Sequence, residues 1–315
     1  MDDKNAMLEA IKKTTGDDST QIIDINDTFK FKCQQCGQCC MNRHDIIVNP
    51  FDVYNGAKYL GITPEEFVIT YLDADLGSKS KIPMLLLKSD DETGFCPFLK
   101  FDVKSGGKFK CSIHAAKPGA CANHPIGVVT ARKTDSDVEE FTFIKVDQCE
   151  NSKCDNDVLV KDWVKPYLDN TEEIRLAHKI QTYITNFFLP SDFFQLSMFV
   201  LHAADANIGA GAGVKLDEVK EELRDVMKTV FVNTIGYGYT DYDISKPFAE
   251  QARKNLEVLK DFYGAMKELF ELMKMSCGIK EDDSIQDFIE QHQGILYHDN
   301  TDTDITEGGD TNGNN

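Results

Sequence analysis

Phe31-Lys32-Cys33-Gln34-Gln35-Cys36-Gly37-Gln38-Cys39-Cys40 places four cysteines within eight residues. Two-residue gaps let successive thiolates turn back toward one centre, which is why C-x2-C recurs in zinc and iron–sulfur sites. Gly37, inside the second gap, is free to take the positive φ that a tight metal-facing loop needs. Buried, inert cysteines are common one at a time, but four in an otherwise polar stretch do not make a core segment. Cys40 follows Cys39 directly. Adjacent residues in extended chain point opposite ways, so these two are expected to serve different metals or different sides of one site.

The rest of the cysteine distribution supports a metal. Nine of the ten cysteines lie between Cys33 and Cys154, and only Cys277 is outside. No apolar core of signal-peptide length marks Met1 to Lys13, and the most apolar region, Phe193 to Ala204, is broken by Gln195, Ser197 and His202. A cytoplasmic address is expected, where thiols stay reduced and clustered cysteines read as a metal site rather than as disulfides. A net charge of −19 over 315 residues argues against nucleic acid and anionic membrane as partners and suits a basic or lysine-rich protein.

Outward from the loop, residues 4–13 read as a short amphipathic helix and Asp24 to Lys32 as an extended lead-in. Asp45 to Val48 reads as a brief strand. Asn49-Pro50 starts a helix that stops near Gly61, and Thr63-Pro64-Glu65-Glu66 is a capping box opening a second helix through about Leu72. Ile82 to Lys88 has strand length. Lys100–Val103 and Lys108–Ser112 flank the turn Ser105-Gly106-Gly107, and Gly127–Lys133 with Glu139–Val146 form a second hairpin. Lys117 to Cys121 reads as a turn. From Asn156 the spacing becomes helical, with candidate helices at 157–168, 171–188, 191–204, 216–233, 247–275 and 283–292. Val226, Met227, Val230 and Phe231 make one apolar stripe and Leu256, Leu259, Tyr263, Met266, Phe270 and Met273 another; both are expected to be core. Gly209 to Gly213 reads as a flexible linker and Gly236 to Tyr239 as a turn with surface aromatics. Trp163 is expected to pack the first carboxy-terminal helix onto the cysteine region, and Cys277 to be unligated. The fold class is α+β: a cysteine-rich domain of short strands and helices at 1–155, an all-α domain at 156–298, and an acidic tail at 299–315 whose composition is that of disordered chain.

These pieces resemble the family of zinc- or iron-chelating proteins named for its CxxCxxCC motif, also called the YkgJ-type cysteine cluster family. The resemblance runs in order through Phe31-x-Cys33-x2-Cys36-Gly37-x-Cys39-Cys40, Asp45-Ile46, Gly61-Ile62-Thr63-Pro64-Glu65-Glu66-Phe67, Cys96-Pro97-Phe98-Leu99, Cys111-Ser112-Ile113-His114, and Pro118-x2-Cys121 with Pro125. It implies that Cys96, Cys111 and Cys121 join Cys33, Cys36, Cys39 and Cys40 as metal ligands, with Cys149 the eighth candidate by position and Cys154 its competitor. Lys117 and Ala122 stand where the family usually carries arginine, leaving less positive charge beside the thiolates. His44, His114 and His124 lie near the cysteines and are candidates for a ligand or for a group supporting one.

Thiolates select soft or borderline metals. Crowded cysteines with few histidines favour an iron–sulfur cluster such as 4Fe-4S, with zinc the alternative. The expected function is therefore metal binding through a cysteine cluster. Two other functions stay open. One is protein-lysine N-methylation with S-adenosylmethionine, since flagellin lysine methylase is similar in its cysteine motif. The other is electron transfer or cluster carriage. No catalytic triad or carboxylate pair stands out.

Overall fold

Two side chains, Asn49 and Thr63, start the helices that frame the cysteine loop. In the computed structural model, residues 20–76, 83–132, 139–146, 154–187, 232–280 and 283–292 are described, together with 8, 9, 12, 192, 193, 195–197, 199, 200, 225, 228 and 229. The architecture is α+β. Strands β1 (Gln21–Ile23) and β2 (Thr28–Lys30) lead into the loop. Helix α1 (Pro50–Leu60) opens on a capping box in which Asp52 N–H donates to Asn49 Oδ1 at 2.9 Å and Asn49 N–H donates to the Asp52 carboxylate at 3.1 Å. Gly61 at φ 69 ends it. Thr63 and Glu66 build the same box for α2 (Pro64–Tyr71). Each such cap stabilises its helix by about 1 kcal/mol.

Strand β3 (Leu72–Leu76) follows α2 at once and pairs antiparallel with β4 (Pro83–Leu87). The alternating Asp73 and Asp75 hide β3 from a sequence reading; pairing with the apolar β4 imposes it. The segment expected as a strand at Asp45–Val48 makes only a bridge at Ile47, yet Val48 N–H to Leu85 O and Leu87 N–H to Ile46 O hold it on the free edge of β4. The hairpin β5 (Leu99–Asp102) and β6 (Lys108–Cys111) forms as expected, with Leu99 opposite Cys111. Residues expected as a turn form one short helix, α3 (Gly119–Asn123). Strands β7 (Ile126–Arg132) and β8 (Glu139–Lys145) form the second hairpin, and β1 joins it in the order β1-β8-β7.

Residues 157–159, expected to be helical, instead form β9 (Asp157–Leu159) because Phe29 and Val158 pair across β2 and β9. Helices α4 (Val160–Leu168), α5 (Thr171–Phe187), α6 (Phe248–Ser276) and α7 (Ile285–Gln291) follow. Gly236–Thr240 is not a surface turn but a π-helical segment with Tyr239 buried against the core.

One large core joins both halves of the chain. Phe67, Leu85 and Ile113 share it with Ile180, Leu259 and Tyr263, all with essentially no exposure, and burying each such side chain contributes roughly 1.5–3 kcal/mol. The stripe on α6 faces this core as expected, with Leu256, Leu259, Tyr263, Met266 and Met273 buried. A smaller core groups Phe29, Phe31, Ile126, Phe143, Val160 and Val164 with Trp163. Trp163 does join the two halves: its ring stands edge-on to Phe29 and Phe31 at 6.0 and 5.1 Å. The helix expected at 4–13 apart from residues 8, 9 and 12, the stripe at Val226–Phe231, the glycine run 209–213, Cys149 and the tail 299–315 lie outside the described residues. Among the described residues no helix is long and apolar enough to cross a membrane.

Candidate metal centre

Four separate segments bring cysteines together. The loop from Phe31 to Cys40 is seated by Phe109 N–H donating to Gln35 O at 3.0 Å. Gly37 adopts φ 82, and a methyl group added to it would stand 2.8 Å from Met41 and 3.0 Å from the Phe109 ring. The positive φ expected there is therefore real, and the space above it is filled. Cys96 N–H donates to Cys40 O at 3.0 Å, which sets Cys96 beside the loop. Cys111 ends β6, and Cys121 stands in α3, its N–H bonded to Pro118 O at 2.9 Å.

As a result Cys39, Cys40, Cys96, Cys111 and Cys121 line one cavity of about 40 Å³, joined by Arg43, Lys117 and His124. The Cys39 and Cys40 sulfurs are 3.8 Å apart. This corrects the expectation that they point to different sides. Neighbours diverge in extended chain, but Gln38–Cys40 is a turn of 3-10 helix, and the turn sends both sulfurs inward. Cys33 and Cys36 are exposed on the loop outside the cavity, Cys36 with its sulfur 3.7 Å from Gln38 Oε1. Cys154 is half-buried and does not line the cavity; nor do His44 and His114, both exposed. Cys277, half-buried against the large core, is also away from it. The nine described cysteines form no disulfide.

Among the described residues no group of three or more His, Cys, Asp or Glu side chains is placed to hold a metal ion as the side chains stand. The sulfurs surround the cavity rather than close on a point within it. Their electrostatics fit a cation. The hydrogen bond from Cys40 holds the thiol of Cys39, an exposed residue, down at about 6 against partial desolvation of the sulfur, with Lys117 and Arg43 adding positive charge, while the same contact pushes Cys40 up. Burial, then the charge of Cys96 and Asp52, pushes Cys121 up to about 12. A metal ion among these thiols relieves both burial and mutual repulsion by taking them as thiolates. All-sulfur donors suit zinc or iron.

Arg43 was not foreseen as part of the site, whereas Lys117 was expected beside the thiolates. Lys117 supplies positive charge beside the thiols, lowering Cys39 and opposing the burial that raises Cys111. Arg43 grips Asp45 with two bonds of 2.6 and 2.9 Å. Asp52 was not singled out in the sequence; it completes the cap of α1, and its second bond, from Gly119 N–H at 2.9 Å, ties α1 to the helix that carries Cys121. Only the fold reveals that contact, across 67 residues of chain.

Neither a curated protein nor a solved structure matches the chain. Residues 32–154, which supply every cysteine of the cavity, match the model of the CxxCxxCC family, described as a putative zinc- or iron-chelating domain.

Proposed function

We propose that this protein binds metal through Cys39, Cys40, Cys96, Cys111 and Cys121, completed from the loop by Cys36 or Cys33, and that the group held is an iron–sulfur cluster. The observation that carries the reading is the convergence of five cysteines from four segments on one cavity. Five sulfurs with two more on the adjoining loop supply more than the four cysteines that either a structural zinc ion or a single iron–sulfur cluster takes, and the crowding of thiols beside one histidine is what favours the cluster. When bound, such a cluster supplies one-electron chemistry or a structural clamp. The chain's own residues hold the thiols in place: the Gly37 turn aims Cys39 and Cys40, Cys40 O anchors Cys96, and Asp52 fixes α3 under Cys121. Lys117 and Arg43 offset the negative charge that the thiolates bring.

A single zinc ion is the second reading. Two thiolates about 2.3 Å from one tetrahedral ion sit about 3.8 Å apart, and the Cys39–Cys40 sulfur separation is 3.8 Å. Anaerobic purification followed by metal analysis, acid-labile sulfide analysis and a visible spectrum tests both. Iron with sulfide and visible absorbance supports the cluster. Stoichiometric zinc in colourless protein overturns it in favour of the second reading, and protein with neither metal overturns both. Cys96→Ser and Cys121→Ser should each lower metal content severalfold.

A further inference from the structure

Behind the cysteine pocket lies a larger cavity of about 330 Å³, and the two share Arg43, Ala120 and His124 as a wall. The volume sits at the lower end of the 300–1,000 Å³ typical of ligand pockets. It is many times the ~30 Å³ share of one water in the liquid, so a single bridging water does not account for it. Its lining is largely apolar, with polar groups set into it. Among the described residues, His124 Nε2 and His178 Nδ1 are buried ring atoms with no protein hydrogen-bond partner. The other ring nitrogen of His178 is used, 3.3 Å from the Tyr167 hydroxyl. Leaving such atoms unpaired costs roughly 1–3 kcal/mol each, so the cavity is built to be occupied by something with hydrogen bonds to offer.

The charges narrow what that is. Arg43 uses two of its N–H groups on Asp45, and a guanidinium has five, so donors remain. Asp52, fully buried, accepts one N–H from Asn49 and one from Gly119, and a carboxylate has about four acceptor sites. A simple oxyanion would gain Arg43 but bring no donor to the Asp52 carboxyl, whose remaining acceptor sites line the same cavity. A simple amine would gain Asp52 but face Arg43. We propose that this cavity binds an amino-acid-sized carboxylate that also carries an amine or hydroxyl, its anionic end toward Arg43 and the neighbouring imidazole, its donor end toward Asp52. The site goes beyond the metal reading and does not require it, since no sulfur lines this cavity.

The test uses the full chain as purified. Saturation-transfer NMR is run with an equimolar pool of the twenty L-amino acids and a pool of lactate and malate, against propionate and propylamine as controls. Transfer to one or a few members of the first two pools, at least tenfold stronger than to either control, is expected. His178→Phe and Val128→Phe place bulk in the cavity and away from the sulfurs. Each should abolish that transfer while metal content is unchanged. Absence of transfer from both pools overturns the proposal. So does a control that binds as well as the best pool member, or undiminished binding in a variant that melts like the parent. If neither variant folds, the comparison with the controls decides alone.

Discussion

The indole N–H of Trp163, on α4, donates to the carbonyl of Asn123 at 2.9 Å, at the end of the short helix that holds Cys121. One side chain from the carboxy-terminal half thereby caps an element of the cysteine region. Trp163→Phe keeps an aromatic ring against Phe29 and Phe31 but leaves a buried carbonyl without its donor. A loss of about 1–3 kcal/mol is expected, measured by urea unfolding followed by circular dichroism. A loss near zero would show that the contact carries no stability.

Asp52 links helix α1 to α3, and its titration should be visible in stability. Burial raises its carboxyl from the ordinary 3.8 to about 7, partly offset by the N–H groups of Asn49 and Gly119. Between these values the folded protein holds a proton that the unfolded chain has released. The stabilisation from this proton is complete below about pH 4 and is lost as pH rises toward 7. Asp52→Asn cannot ionise, so its unfolding free energy should be flatter than the parent's over pH 4–7. At the acid end it should lose about 1 kcal/mol for the weakened cap. Parallel profiles for the two proteins would show that Asp52 does not titrate in that range.

Cys39 is the thiol that its surroundings keep reactive. The bond from Cys40, with Lys117 and Arg43 nearby, lowers the exposed Cys39 to about 6, whereas burial raises the half-buried Cys96, Cys111 and Cys121. In metal-free protein at pH 7, iodoacetamide should modify Cys39 roughly tenfold faster than those three. Peptide mass spectrometry over a time course measures this. Reconstitution with metal should protect all four, and equal rates in the metal-free state would contradict the assigned order.

Gly119 is a position where one methyl group should disturb the metal site without touching a ligand. A Cβ there would clash with the Tyr167 ring. Overpacking of this kind costs about 1–3 kcal/mol, and the shift falls on the helix carrying Cys121. Gly119→Ala should therefore lower both melting temperature and metal content. Gly61→Ala is the control: its φ of 69 strains an alanine by roughly 1–2 kcal/mol, but nothing lies within 4 Å and metal content should hold.

Much was legible in the residues alone. The α+β class, the caps at Asn49 and Thr63, both hairpins, the apolar stripe of α6 and the Gly37 turn all follow from interactions between residues a few positions apart. The cysteine spacing likewise raised the expectation of a metal site, because closely spaced thiols have few other uses in such a polar stretch, and the matched family model agrees with it. What the residues left open was decided by contacts across long stretches of chain. Pairing with β4 made a strand of Leu72–Leu76, and pairing with β2 made one of Asp157–Leu159. The large core drew Tyr239 inward from a segment that reads as a surface turn. Above all, only the packing of the loop, β6 and α3 selects which sulfurs face one cavity and leaves Cys33, Cys36 and Cys154 outside it. Local hydrogen bonds and periodicity are written in neighbouring residues, whereas the meeting of Cys40 with Cys121, or of Asp52 with Gly119, is set by tertiary packing that no short window of sequence contains.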